Sequence, residues 1–329
     1  MKKRIVITSL LLAIALLLSA CAGGAAPAAN GAQKTETKYL SIGTGSVTGV
    51  YYPLGGALSS IVTNKIDGYS CAAESTGGAV ENATLLINGE LDLGFVAAST
   101  LYDAQHGLNS FEGMDGSKIK AVFSFFPEVV QIISVDPEIK AITDLRGKRV
   151  AVGSAGSGTE VMARALLELN GMSYDDIDED FLGFGDAATG LKDGTVDVAF
   201  TWAGIPTASV MELCATHDIS MISFDDAELQ RLMQVSSYCV PAKITKDTYP
   251  RLYADAQSFS IPAIICCNAD LSEEFVYDFL TAVFDNLDVL AETHERGGDL
   301  SLETVLNGLA DADMHPGAVK FFTEKGVMG

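Results

Sequence analysis

The sequence predicts an α/β protein of two lobes, and three observations carry that reading: β-type and helix-type segments alternate along the chain, the alternation restarts after Asp136-Pro137, and each run opens on a Gly/Ser/Thr loop between a strand and a helix. Such alternation implies βα units and sheets that are largely parallel. With 329 residues, 48% of them apolar, the chain can bury a sizeable core, and chains of this length tend to divide in two.

The elements of the first run follow in order. Tyr39 to Gly43 reads as a strand, Val50 to Asn64 as a helix, Gly68 to Ala73 as a strand, Gly77 to Asn88 as a helix and Leu91 to Val96 as a third strand. Lys118 to Phe125 and Val129 to Val135 add two β-branched or aromatic runs. The second run begins with a strand over Lys148 to Gly153, a helix over Ser157 to Asn170, a short strand at Phe181 to Gly183, a helix over Asp186 to Asp193 and a strand over Val196 to Thr201. It is complete by about Pro241, so the simplest arrangement returns the chain to the first lobe through Phe259 to Cys267. The domain reading is therefore residues 38–136 plus about 250–329 for lobe 1 with the C-terminal helices, and 137–249 for lobe 2. Two or more crossings between lobes make a hinge. The halves share architecture but no sequence repeat.

Ahead of this body, Lys2, Lys3 and Arg4 form a positive segment and Ile5 to Leu18 an apolar one, the pattern of a signal peptide over residues 1–20. The apolar run is short for a spanning helix, which needs about 20 residues. It ends in Leu18-Ser19-Ala20-Cys21, which resembles the bacterial lipobox and makes Cys21 the expected lipidation site. Residues 21–37 (CAGGAAPAANGAQKTET) read as a flexible tether. The expected location is extracytoplasmic, with the body held to the membrane through lipid alone.

Charge narrows the partners. The chain carries 21 Lys+Arg against 43 Asp+Glu, a net −22, and loses three more basic residues with the signal peptide. That balance argues against nucleic-acid binding and against lying on anionic lipid. The five cysteines of the body, Cys71, Cys214, Cys239, Cys266 and Cys267, have no zinc-site spacing and read as small buried apolar residues, with one disulfide among them left open. Strand alternation sends Cys266 and Cys267 to opposite faces. His106, His217, His294 and His315 share no ligand spacing and read as surface or capping residues, so no metal and no cofactor is expected.

The two loops are the candidate site. Gly43-Thr44-Gly45-Ser46-Val47-Thr48-Gly49 and Gly153-Ser154-Ala155-Gly156-Ser157-Gly158-Thr159 hold equivalent positions in the two lobes. Glycine lets backbone approach a ligand, hydroxyls donate hydrogen bonds, and the free N–H groups of a helix start favour an anion. Facing one another, they would form a cleft. Neither carries a dinucleotide fingerprint, a P-loop Gly-Lys-Ser/Thr or a nucleophile elbow, and the sequence nominates no acid/base pair, which points away from an enzyme.

These loops and their surroundings resemble the TRAP-associated extracytoplasmic immunogenic (TAXI) solute receptors of tripartite ATP-independent periplasmic transporters. The resemblance rests on Gly43 to Gly55 (GTGSVTGVYYPLG), Thr76 to Asn82 (TGGAVEN), Ala151 to Glu160 (AVGSAGSGTE), Asp193 to Phe200 (DGTVDVAF) with Gly204-Ile205-Pro206, and His315-Pro316-Gly317-Ala318, in order along the whole body. It implies a two-lobed periplasmic-binding-protein fold of type II and a receptor that does no chemistry. Its ligand would be a small acidic metabolite, glutamate-, keto-acid- or dicarboxylate-like, delivered to ion-gradient-driven membrane subunits, often fused.

Carried over by position, Thr44, Gly45, Ser46 and Tyr51 form one wall with Thr76, Gly77 and Asn82 beside them, and Ser154, Gly156, Ser157, Gly158 and Thr159 form the other. Trp202 would line the cleft with its indole N–H as donor. Relatives carry Ser, Gln and Asp where this chain has Ala79, Ala97 and Ser99, so a roomier or less polar pocket is expected. Between Ile5 and Leu145 there is no arginine, so the first lobe offers no guanidinium clamp and the site is expected to rely on neutral donors. Arg146, Arg149 and Arg164 read as partners in surface ion pairs. A monomer is the default for a clamshell receptor. Two other readings use the same fold: a sensor lipoprotein, separated by its neighbouring genes, and the receptor of an ATP-driven importer, which differs only in partner.

Overall fold

The computed structural model describes residues 37–329; the signal peptide, Cys21 and all but the last residue of the tether lie outside the described residues. The described residues form ten strands and ten α-helices, which largely alternate up to Ile244. The first half contains β1 (Lys38–Gly43), α1 (Tyr51–Lys65), β2 (Tyr69–Glu74), α2 (Ala79–Asn88), β3 (Leu93–Ala97), α3 (Ala98–His106) and β4 (Ile119–Ser134). The middle contains β5 (Arg149–Ala151), α4 (Gly158–Leu169), β6 (Asp178–Asp180), α5 (Phe184–Asp193), β7 (Val198–Ala203), α6 (Ala208–Cys214), β8 (Ser220–Met221), α7 (Asp226–Val235) and β9 (Val240–Ile244). The chain ends with β10 (Ala256–Asn268), α8 (Glu273–Phe284), α9 (Leu287–Thr293) and α10 (Pro316–Glu324).

Eight of the strands run in the order β2-β1-β3-β10-β4-β7-β5-β6, with β8 beside β4 and β9 beside β10. The outer pairs are parallel, β1 with β2 and β3, β5 with β6 and β7, as βα units require. The centre corrects the expectation of largely parallel sheets. There β10 pairs antiparallel with β3, β4 and β9, and β4 pairs antiparallel with β7 and β8. The reason is length: the two β-rich runs expected on either side of Pro127 are one sixteen-residue strand that serves both halves.

Pro127 of β4 faces Pro262 of β10 in that pairing, and the register shifts just beyond, between Pro262 and Ile264. Proline donates no backbone N–H, so the ladder gives up two donors at one level. Two further expectations shift. The short strand lies at Asp178–Asp180 rather than Phe181 to Gly183, and α3 was not foreseen, since Ala98–His106 has little apolar stripe and is held by tertiary contacts.

Apolar side chains fill both faces of the sheet. On one face Phe123, Phe125, Phe275, Phe279, Phe321 and Phe322 pack with α1 and the C-terminal helices, each ring contributing about 1.5–3 kcal/mol by leaving water. On the other, Leu86, Val96, Leu101 and Ile264 pack against α2 and α3. Cys266 lies in this second cluster and Cys267 in the first, as alternation requires. All five cysteines among the described residues are free thiols. His315 accepts the N–H of Gly317 as the cap of α10, and His294 caps a 3-10 turn through Arg296 N–H. No helix among the described residues is long and apolar enough to cross a membrane.

Candidate functional site

The sheet brings the C-terminal ends of β1, β2, β3 and β5 and the middle of β4 to one place, where a cavity of about 50 Å³ lies. Its walls are the loops after β1, β2 and β5. From the first come Gly45, Ser46, Gly49 and Val50; from the second Gly77, Gly78 and Ala79; from the third Ser154, Ser157, Gly158 and Thr159. Tyr51, Phe184, Trp202, Ala97, Ala203 and Glu128 complete the lining.

Close approach explains the glycines. A Cβ on Gly158 would stand 3.1 Å from the Trp202 ring and 3.4 Å from Ala79 Cβ. Gly78 has φ +117°, open only to glycine, and so turns the chain sharply into α2. The walls touch: Glu81 N–H at the start of α2 donates to Gly156 O at 3.2 Å, and Ser209 N–H donates to Thr48 O at 3.4 Å. The cleft is therefore closed in this structure.

Five helices begin at the cavity. Its lining includes the N-cap or first residue of α1 (Val50, Tyr51), α2 (Gly78, Ala79), α3 (Ala97), α4 (Ser157, Gly158) and α5 (Phe184). Glu81 N–H is taken by Gly156 O, Glu160 N–H by Ser157 Oγ, and Pro53 of α1 has none; the other first-turn N–H groups have no partner within their helix and, with the positive ends of the dipoles, suit an anionic group. No lysine, arginine or histidine belongs to the lining among the described residues. Arg146, Arg149 and Arg164 are engaged elsewhere, with Asp176, Asp197 and Glu160.

Of the thirteen residues singled out by sequence, Gly45, Ser46, Tyr51, Gly77, Ser154, Ser157, Gly158, Thr159 and Trp202 line the cavity. Four do not. Thr44 is fully buried and its hydroxyl donates to Glu74 O at 2.6 Å; Asn82 donates to Thr44 O at 2.7 Å and to Phe95 O at 2.9 Å; Thr76 donates to Asn82 Oδ1 at 2.7 Å. These three tie the wall together from behind. Gly156 holds the walls closed through its carbonyl. The Trp202 indole N–H is occupied by Glu128 O at 3.1 Å, which corrects its expected role as a ligand donor and leaves its ring as lining. Ala79 and Ala97, the small residues at two departing positions, face the cavity; Ser99 does not.

The residue that sequence reasoning missed is Glu128. It sits on β4 next to Pro127, is 4% exposed, and accepts one hydrogen bond, from the Tyr51 hydroxyl at 2.7 Å to Oε2. Burial pushes its pKa up to about 8, with the Tyr51 hydrogen bond pulling weakly the other way. Burial, and then the neighbouring Glu128, raise the Tyr51 phenol well above its usual range. A carboxyl group in a run of aromatic and β-branched residues was the available signal, since a strand buried on both faces has no solvent side for it.

A family model described as the NMT1-like family matches residues 42–326. Among solved structures, a Prochlorococcus marinus protein in complex with methylphosphonate aligns over 80% of this chain and 89% of its own, with 12% identity and a TM-score of 0.50. The periplasmic aliphatic sulphonate binding protein of Escherichia coli aligns over 78% and 74%, with 14% identity and a TM-score of 0.43. The ligand-binding component of an ABC-type import system from Staphylococcus aureus, solved with zinc bound, aligns over 89% and 93%, with 9% identity and a TM-score of 0.47. At 12% identity the likeness to the Prochlorococcus marinus protein is one of fold alone.

Proposed function

The chain belongs to the NMT1-like family, and from that premise we propose that it is an extracytoplasmic solute receptor, closing two lobes over one small molecule and handing it to a membrane transporter. The observation that carries this reading is the cavity closed between Gly/Ser/Thr loops from successive halves of the chain, ringed by five helix starts. A ligand that touches both walls favours the closed form by its differential affinity. The paired prolines at Pro127 and Pro262 make that level of β4 and β10 the natural bend; it lies within the residues expected for lobe 1 (38–136 with about 250–329), and beyond it Val129–Ile133 pair with β7 of lobe 2 (137–249), so the lobes part nearer Pro127 than residue 136. The protein itself does no chemistry.

The finer parts of the proposal rest on the sequence. Cys21 is the lipid anchor, and the membrane partner is an ion-gradient-driven transporter of the TRAP type, with an ATP-driven importer as the alternative. The ligand carries at least one anionic group, held by first-turn N–H groups and by the hydroxyls of Ser46, Ser154, Ser157 and Thr159. Thermal unfolding in the presence of amino acids, dicarboxylates, keto acids and other small acids tests the receptor reading, because a ligand bound only by the native state raises Tm with its concentration. A concentration-dependent rise supports it; none across a broad set overturns it.

A further inference from the structure

Glu128 is the feature that a receptor for a simple anion does not explain. Its Oε1 has no protein hydrogen-bond partner among the described residues, the residue is only 4% exposed, and it lines the cavity. A second carboxylate brought beside it would be a buried charge in a site whose lining holds no compensating cation, whereas an ammonium would find in Glu128 a group able to become its counter-charge. We propose that the ligand carries a protonated amine for which the Glu128 carboxylate is the counter-charge, so that the site takes a small zwitterion of amino-acid type and not a dicarboxylate or keto acid. This rests on the receptor reading above and narrows its ligand.

Three further observations support it. The rings of Tyr51, Phe184 and Trp202 line the same cavity, and aromatic rings attract an ammonium group. The polar surroundings are divided, with helix starts around the walls for a carboxylate and one carboxyl at the floor for an amine. The cavity is small as well, about 50 Å³, which favours a compact ligand over one with a long side chain.

Protonation follows from the same geometry. The titratable group facing Glu128 is Tyr51 of α1, and the wall loops bring no charged side chain to the lining, since Glu81 turns back to accept Gly77 N–H at 2.6 Å. Burial leaves the empty site's carboxyl protonated up to about pH 8. An arriving ammonium favours the carboxylate, so the Glu128 proton passes to solvent on binding and affinity rises as pH rises from 6 to 8.

The test is calorimetric titration of the full chain in detergent at pH 7.0 with alanine, glycine, propionate, ethylamine and succinate, each in two buffers of different ionisation heat. Expected are alanine or glycine binding at least tenfold more tightly than propionate or ethylamine, proton release on binding, and at least a tenfold loss in Glu128→Gln for alanine but not for propionate. Tyr51→Phe, which keeps the carboxylate and removes the bond that lowers its pKa, shifts the pH midpoint of alanine binding upward. Propionate or succinate equalling alanine, or proton uptake on binding, overturns the amine while leaving a receptor for anions. Absence of binding by all five probes also overturns it, and the receptor reading then stands or falls on the wider thermal screen.

Discussion

The walls of the cavity meet it with Gly45, Gly77, Ser157 and Gly158, small groups without charge, whereas the floor meets it with a buried carboxyl on the strand that both halves share. The walls are loops at helix starts, so their polarity comes from backbone donors that any sequence of small residues supplies. The floor's polarity belongs to one side chain, Glu128. Substitutions in the walls should therefore act through fit and hydrogen bonding, and those in the floor through charge and pH.

The largest expected effect is at the floor. Folded, the Glu128 carboxyl keeps its proton up to about pH 8; in the unfolded chain it loses it near 4.5. Between those values the folded state binds more protons, so raising the pH favours unfolding: the stabilising contribution is full below about pH 4.5 and is lost as pH rises through 8. Wild type should lose, relative to Glu128→Gln, on the order of 3 kcal/mol of stability between pH 5 and 8. Parallel denaturant-midpoint curves for the two proteins would remove the buried, titrating floor from the comparison.

Behind the first wall the next effect is expected from Asn82→Ala. Asn82 is fully buried, and its loss leaves Thr44 O without one donor, Phe95 O without its side-chain partner and the Thr76 hydroxyl without the nearer of its two acceptors. A destabilisation of about 2–3 kcal/mol follows, read from urea unfolding and independent of pH from 5 to 8. A pH-dependent loss would blur the distinction between wall and floor.

The walls were legible in the sequence because their chemistry is local. Gly/Ser/Thr runs between a strand and a helix mark a helix start whatever surrounds them, and seven residues of the two runs so marked line the cavity. The outer βα units were legible for the same reason. The centre was not: whether Lys118 to Phe125 and Val129 to Val135 are two strands or one depends on a partner, β10, that arrives more than a hundred residues later. Pro127 reads locally as a break, yet Pro262 stands opposite it and the strand continues. Glu128 inherits that ambiguity, since a carboxyl beside a presumed turn looks exposed, and only the pairing of β4 with both β10 and β7 buries it. Likewise Thr44 and Asn82 were assigned to the ligand by position, although their hydrogen bonds run backwards into the wall.

The smallest effect separates front from back within the walls. Ser157 caps α4, its Oγ accepting Glu160 N–H at 3.1 Å, and it lines the cavity with its hydroxyl proton free to be donated. Thr44 lies behind the opposite loop, its hydroxyl already donated to Glu74 O. Alanine at either position removes one buried hydrogen bond and should cost about 1 kcal/mol of stability. Their effects on ligand should differ: Ser157→Ala weakens binding severalfold because a donor leaves the cavity, and Thr44→Ala leaves affinity unchanged once the fraction folded is accounted for. Equal losses of affinity in titrations of the two variants would mean that the first wall moves as a unit and that the residues behind it set its shape toward the ligand as directly as those in front.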